Sequence, residues 1–156
     1  FLFQRIQQLR EVAQLDLFRA RIVSDFLFDK DPLFAQLTLG ADELALYRQI
    51  FDVLKPQAPR PDLVVYLHAS VPTLIERVRR RARGYETKLA SEREGERYLT
   101  GLAEAYSRFF YHYTDAPVLV VNSEHLNFVE SDDALAILME RIGAMRGQRE
   151  YFNASE

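Results

Sequence analysis

The sequence predicts an α/β fold built on a central parallel sheet flanked by helices. Three observations carry that prediction. Short apolar runs occur at residues 21–25 (RIVSD), 62–67 (DLVVYL) and 117–122 (PVLVVN), and none alternates polar with apolar side chains. Runs of that kind are strands covered on both faces, as parallel strands are. Helical periodicities separate them, and strands alternating with helices build a parallel sheet. At 156 residues the chain is long enough to bury a core and has the length of one domain. With no internal repeat or low-complexity linker, residues 1–156 are expected to form a single domain.

In chain order, the first element is an amphipathic helix, FLFQRIQQLREVAQ, with Phe3, Ile6, Leu9 and Val12 or Ala13 on one side. A doubly wound domain normally opens on a strand and a ligand-binding turn. The reading is therefore of a chain whose first strand and helix precede residue 1. The run at 21–25 is the first expected strand. Residues 42–54 place Leu44, Tyr47, Ile50, Phe51 and Leu54 on one helical face, and Pro56 ends that run. The second strand, 62–67, is introduced by Pro59-Arg60-Pro61 and followed by a polar loop from His68 to Val71. A helix starting at Pro72 buries Leu74, Ile75 and Val78 and is broken by Gly84. Residues 94–113 then set Tyr98, Leu99, Leu102, Ala105, Tyr106, Phe109, Phe110 and Tyr113 at helical spacing. After the third strand, Ser131-Asp132-Asp133 starts a helix carrying Leu135, Leu138, Ile142 and Met145.

Composition removes several classes of function. The formal net charge of −3 provides no global field toward nucleic acid or anionic lipid. The absence of cysteine excludes disulfides, thiolate metal sites and cysteine nucleophiles. No apolar run approaches the roughly 20 residues that span a bilayer. The opening residues lack the n-region and cleavage site of a signal peptide. The sequon at Asn153 is therefore read as chance, and a cytoplasmic setting is expected. His68, His112 and His125 are far apart and have no metal-ligand spacing. No Ser-centred nucleophile elbow occurs.

Against that acidic background, RVRRRAR at 77–83 puts five arginines into seven residues. A solvated helix face, a nucleic-acid patch and a phosphate-handling lid all account for such a cluster. The acidic residues that follow, Glu86, Glu92, Glu94 and Glu96, argue against nucleic acid. A segment bearing several guanidiniums can close over a polyphosphate and form bidentate bonds to its oxygens. There it neutralises charge as a phosphoryl group moves.

The spacing R-x-x-x-R-x-R-x-x-E, formed by Arg77, Arg81, Arg83 and Glu86, resembles the lid of the deoxynucleoside kinases. Other pieces fall in that family's order. PRPDLVVYLHASVPTLIERVRRRAR resembles its strand-to-lid unit, and the lid spans about residues 77–97. Tyr98-Leu99 through Tyr106, then 117–122, resemble its closing helix and last strand, and 31–35 (DPLFA) resembles its I-F-A segment beneath the base. The resemblance implies a three-layer P-loop-kinase-like fold and ATP-dependent phosphorylation of a deoxynucleoside 5′-hydroxyl in nucleoside salvage. It implies ATP and Mg²⁺ as donor and metal, small-molecule partners, no nucleic acid or membrane, and a homodimer. A nucleoside-monophosphate kinase and a non-catalytic nucleotide-binding domain of the same fold are the alternatives.

By that resemblance Arg81 and Arg83 grip the donor and transferred phosphates. Arg77 either contacts phosphate or holds the lid. Glu86 reaches the deoxyribose 3′-hydroxyl. Phe34 either stacks on the base, a contact worth about 1–3 kcal/mol, or packs in the core. Where the family carries an acidic residue followed by Arg, this chain has Ser24-Asp25-Phe26. Asp25 is read as a carboxylate near the phosphates and Mg²⁺, with a capping role as the alternative. Lys30 stands where relatives often have Asp, and is a candidate replacement for the missing cation, which leaves base preference open. No G-x-x-x-x-G-K-[ST] occurs. The P-loop, the general base and the base-reading Gln are expected upstream of Phe1, in an N-terminally truncated chain or, failing that, a degenerate homologue. The residues in hand are expected to be inactive alone.

Overall fold

The computed structural model describes residues 2–16, 22–81, 93–128 and 130–153. They fall into two compact units, Phe1–Arg60 and Pro61–Glu156.

The first unit is helical. α1 (Leu2–Asp16), α2 (Asp31–Thr38) and α3 (Ala41–Leu54) build it, with a 3-10 turn at Phe28–Lys30 leading into α2. Its core gathers Leu2, Ile6, Phe28, Phe51 and Leu54, with Leu9, Phe26, Tyr47 and Ile50 packed around them. Spacings of four and three residues between Leu2, Ile6 and Leu9 put these side chains on one stripe of α1. Phe3, expected on that stripe, is 67% exposed because its position lies a quarter-turn off it. The α3 face is as expected, and Phe28 stacks on Phe51 with ring centroids 4.9 Å apart. The helix ends at Leu54 in a 3-10 turn, Lys55–Gln57, that contains Pro56. The start of α3 is held by Glu43, whose Oε2 accepts the Gly40 N–H at 3.0 Å.

One polar pair is built into this core. Asp31 is buried, and the Tyr47 hydroxyl donates to its Oδ2 at 2.7 Å. Removing that donor leaves a buried carboxylate with one fewer partner. Tyr47→Phe is therefore expected to cost about 1–3 kcal/mol in urea unfolding.

The expected strand at 21–25 is not one. Residues 22–24 have no regular structure, Asp25 lies in a bend, and Val23 is 98% exposed. An apolar run becomes a strand only where a ladder partner satisfies its backbone, and among the described residues nothing pairs with it.

The second unit carries the sheet. β1 (Val64–His68), β2 (Val118–Asn122) and β3 (Arg149–Asn153) lie in the order β1-β2-β3. Both pairings are parallel. The register sets Tyr66 beside Val120 and Leu67 beside Val121, and Val121 beside Phe152. The central strand is the most buried, with Val118 and Val121 fully inaccessible and Leu119 at 2%. α6 (Asp132–Ala144) covers one face, where Leu138, Ile142 and Met145 meet Leu119, Val121 and Phe152. Leu135, expected on that face, is 42% exposed. On the opposite face, α5 (Arg93–His112) stacks Phe110 on Tyr66 at 4.3 Å. Successive strand residues point to opposite faces, so helix, sheet and helix form three layers. The remaining helix, α4 (Val71–Arg81), follows β1 directly.

β3 was not anticipated. REYFN offers one buried apolar side chain, Phe152, among polar neighbours, as an edge strand allows. It is anchored at its start by Arg149, which donates to the Tyr111 carbonyl in the last turn of α5 and, at 2.6 Å, to the Tyr113 carbonyl just beyond it. A cation there also favours the negative end of the helix dipole.

Candidate active site

Parallel α/β sheets bind ligands outside the carboxyl ends of their strands. Here the register brings His68, Asn122 and Asn153 into one row at that edge. A cleft of about 440 Å³ opens beside it, lined by His68, Ser70 and Val71 from the β1–α4 connection and by Glu104, Ser107 and Arg108 from α5. The aromatic wall behind α5 is dry enough to push the Tyr106 hydroxyl up to about 12, through burial first and then its neighbours Tyr66 and Tyr98.

α4 rises from this edge with Arg77, Arg79, Arg80 and Arg81 along it. None of its residues is fully buried; Leu74, Ile75 and Val78 are half-covered, less than expected. The Arg77 guanidinium donates to Ser123 Oγ at 3.0 Å and to the Ser123 carbonyl. Arg79 lies 3.9 Å from Glu96 and Arg80 3.5 Å from Glu130. Arg81 closes the helix and is exposed. Arg83 and Glu86 lie outside the described residues.

Ser70, Thr73, Ser123 and Glu124 were missed from the sequence. Glu124 accepts the Ser70 N–H at 2.7 Å and the Ser70 hydroxyl at 2.7 Å, and also the Thr73 hydroxyl. Those bonds pull its carboxyl down to about 2, with the Ser70 backbone N–H the largest cause. A Glu normally titrates near 4.3. A depressed folded value means the stabilisation is complete above the unfolded value and is lost as pH falls toward the folded one. Thermal unfolding followed by circular dichroism is expected to show an acid limb between about pH 4 and pH 2 that Glu124→Gln makes shallower. Glu150, lowered by the Gly147 and Arg146 N–H groups, keeps part of that limb in the variant.

The first unit carries three further candidates, Asp25, Lys30 and Phe34. The Arg5 guanidinium stands 4.4 Å from the Phe26 ring centroid and the Lys30 ammonium 5.9 Å from it. Burial lowers the Lys30 pKa, while the Asp25 carboxylate opposes that shift. Asp25 itself is exposed. Lys30 forms the N-cap of α2 and Phe34, half-buried, follows one turn later on the same side. Lys55 pairs with Asp29 at 3.2 Å beneath. Among the described residues no three His, Asp or Glu side chains converge as a metal-ligand set. A Mg²⁺ ion arriving on phosphate oxygens needs only one or two carboxylates from a protein. No helix among the described residues is long and apolar enough to cross a membrane.

A parallel sheet with an arginine helix rising from its carboxyl edge suits anion binding, and comparison with known proteins gives the family. The profile of the deoxynucleoside kinases matches residues 1–145, which span both units. The chain belongs to the deoxynucleoside kinase family. It is 29% identical over 134 residues to a deoxyguanosine kinase of Bacillus subtilis, covering 83% of this chain and 62% of that protein. It is 23% identical over 148 residues to a deoxyadenosine kinase of Lactobacillus acidophilus, covering 88% of this chain and 66% of that one. A deoxyguanosine kinase from the same Lactobacillus is 25% identical over 123 residues, covering 72% and 54%. The chain thus spans less than two thirds of the length of these relatives. No solved structure matches at a significant level.

Proposed function

We propose that the full-length protein transfers the γ-phosphoryl group of ATP to the 5′-hydroxyl of a deoxynucleoside, with purine deoxynucleosides the leading acceptors. The observation that carries this is the arginine helix α4, rising from the carboxyl edge of a parallel sheet in a chain that belongs to the deoxynucleoside kinase family. The acceptor class is supported by the relatives, named for deoxyguanosine and deoxyadenosine. Because the family profile runs through both units, we take residues 1–156 as parts of one catalytic domain.

In this reading Arg81 and Arg83 hold the phosphates and neutralise charge during transfer, since phosphoryl transfer depends on positioning and electrostatics. Glu86 binds the 3′-hydroxyl, Phe34 stacks on the base, and Lys30 lies one turn away at the same helix end. Asp25 would help hold the Mg²⁺ that ATP brings, and the bound metal would supply positive charge against the charge that develops during transfer. The protein is taken to be a cytoplasmic homodimer.

A panel of the four deoxynucleosides and their monophosphates, each with ATP and the full-length protein, tests this reading. Turnover confined to nucleosides, with purines preferred, is the expected result. Turnover confined to monophosphates would reassign the protein to the nucleoside-monophosphate kinases.

A further inference from the structure

The chain leaving β2 is bonded to α4 at successive turns. At the first turn, Glu124 takes the Ser70 N–H, the Ser70 hydroxyl and the Thr73 hydroxyl. One turn on, Arg77 bonds Ser123 through both its hydroxyl and its carbonyl. Ser123 is itself fixed: it is 2% exposed, and its N–H and hydroxyl both donate to the His68 carbonyl, at 2.7 and 3.0 Å. A purely local cap is weak here, since Thr73 N–H reaches Ser70 Oγ at only 3.4 Å. The stronger acceptor is supplied from 54 residues away.

Apolar packing holds this helix only in part: it meets α5, yet none of its residues is fully buried. The polar bonds at its start add a second constraint on its direction. α4 has 11 residues, so at 1.5 Å each its far end lies about 16 Å from its start, and a tilt of about 10° moves that end by about 3 Å. A misplacement of about 1 Å can already cost a catalysed reaction about 10²-fold.

We infer that Ser123 and Glu124 form a latch that aims α4, and that Glu124, Ser123 and Arg77 are positioning residues for Arg81 at its end. The catalytic part of this inference rests on the phosphoryl-transfer reading. Arg77 is assigned to the latch rather than to phosphate, because its guanidinium is directed at Ser123.

The test uses the full-length protein and the variants Glu124→Gln, Arg81→Ala and their combination, with Thr73→Val as a milder second lesion. Gln keeps the shape but turns an N–H₂ toward donors. Hydrogen exchange is read first, since it needs no activity. The expected result is faster exchange confined to α4 amides in Glu124→Gln and, less so, in Thr73→Val, with β2 and β3 unchanged. Unchanged α4 exchange in both variants overturns the latch.

In the kinetic arm, Glu124→Gln is expected to lower kcat about tenfold with nucleoside KM changed less than about twofold. The combined variant should be no slower than Arg81→Ala within about threefold, because residues acting as a unit are not additive. Losses that multiply would make Glu124 a stabilising residue without a positioning role. Should the wild-type protein phosphorylate no deoxynucleoside, the phosphoryl-transfer reading fails and the positioning role with it, while exchange still decides whether Glu124 holds α4.

Discussion

Replacing Arg81 and Arg83 together by alanine in the full-length protein is expected to lower kcat for deoxynucleoside phosphorylation by about 10³-fold, the scale of arginines that stabilise a transferring phosphoryl group. The physical reason is charge. The phosphoryl group in flight spreads negative charge over its oxygens, and a guanidinium meets two of them at once with donors set in a plane. Such contacts strengthen as the transition state forms, so kcat falls while nucleoside KM is nearly unchanged. Steady-state kinetics on folded variants checks both numbers. Lysine at the same positions keeps the charge but loses the fork, and should recover only part of the rate.

Phe110→Ala carries the largest expected effect on stability. Phe110 is 5% exposed, lies 4.3 Å from the Tyr66 ring in near-parallel stacking, and receives Phe109 edge-on at 5.0 Å. Its removal takes away a stacked contact between α5 and the sheet and leaves a cavity at their junction. The expected loss is about 3–5 kcal/mol in urea unfolding, a large share of the roughly 5–15 kcal/mol that hold a domain together. Tyr111, the next residue, is 67% exposed; its replacement by alanine should change stability by no more than about 0.5 kcal/mol.

These two residues show how legibility in the sequence depended on the physics involved. The α5 face was readable because its apolar side chains recur at helical spacing, and none of them is left exposed. β2 was readable because it lies inside the sheet, where both faces are covered, and β1, at one edge of the three described strands, because its run stays apolar. β3 was not, since an edge strand is half solvated and REYFN buries only Phe152. The run at 21–25 had the composition of a strand, but strand geometry belongs to a pair of chains and not to one segment. Val23 and its neighbours have no ladder partner among the described residues. On α1, the spacing of Leu2, Ile6 and Leu9 and that of Phe3 and Ile6 both suited a stripe, and only packing chose between them.

The site was legible to a similar degree and for similar reasons. The arginine spacing at 77–83 was visible as a local pattern. The latch was not, because Ser70 and Glu124 are 54 residues apart and only the parallel pairing of β1 with β2 brings their strand ends side by side. A short polar stretch after an apolar strand is too common to signal a helix cap donated from a distance.

The central claim, that this chain is part of an enzyme that phosphorylates deoxynucleosides, meets its most direct test in one labelling experiment. Full-length protein is incubated with γ-phosphate-labelled ATP and deoxyguanosine or deoxyadenosine, and the products are separated. Label recovered in the nucleoside 5′-monophosphate, and lost in the Arg81→Ala, Arg83→Ala variant, is the predicted result. Folded protein that moves no label to either nucleoside, with ATP and Mg²⁺ saturating, would contradict it.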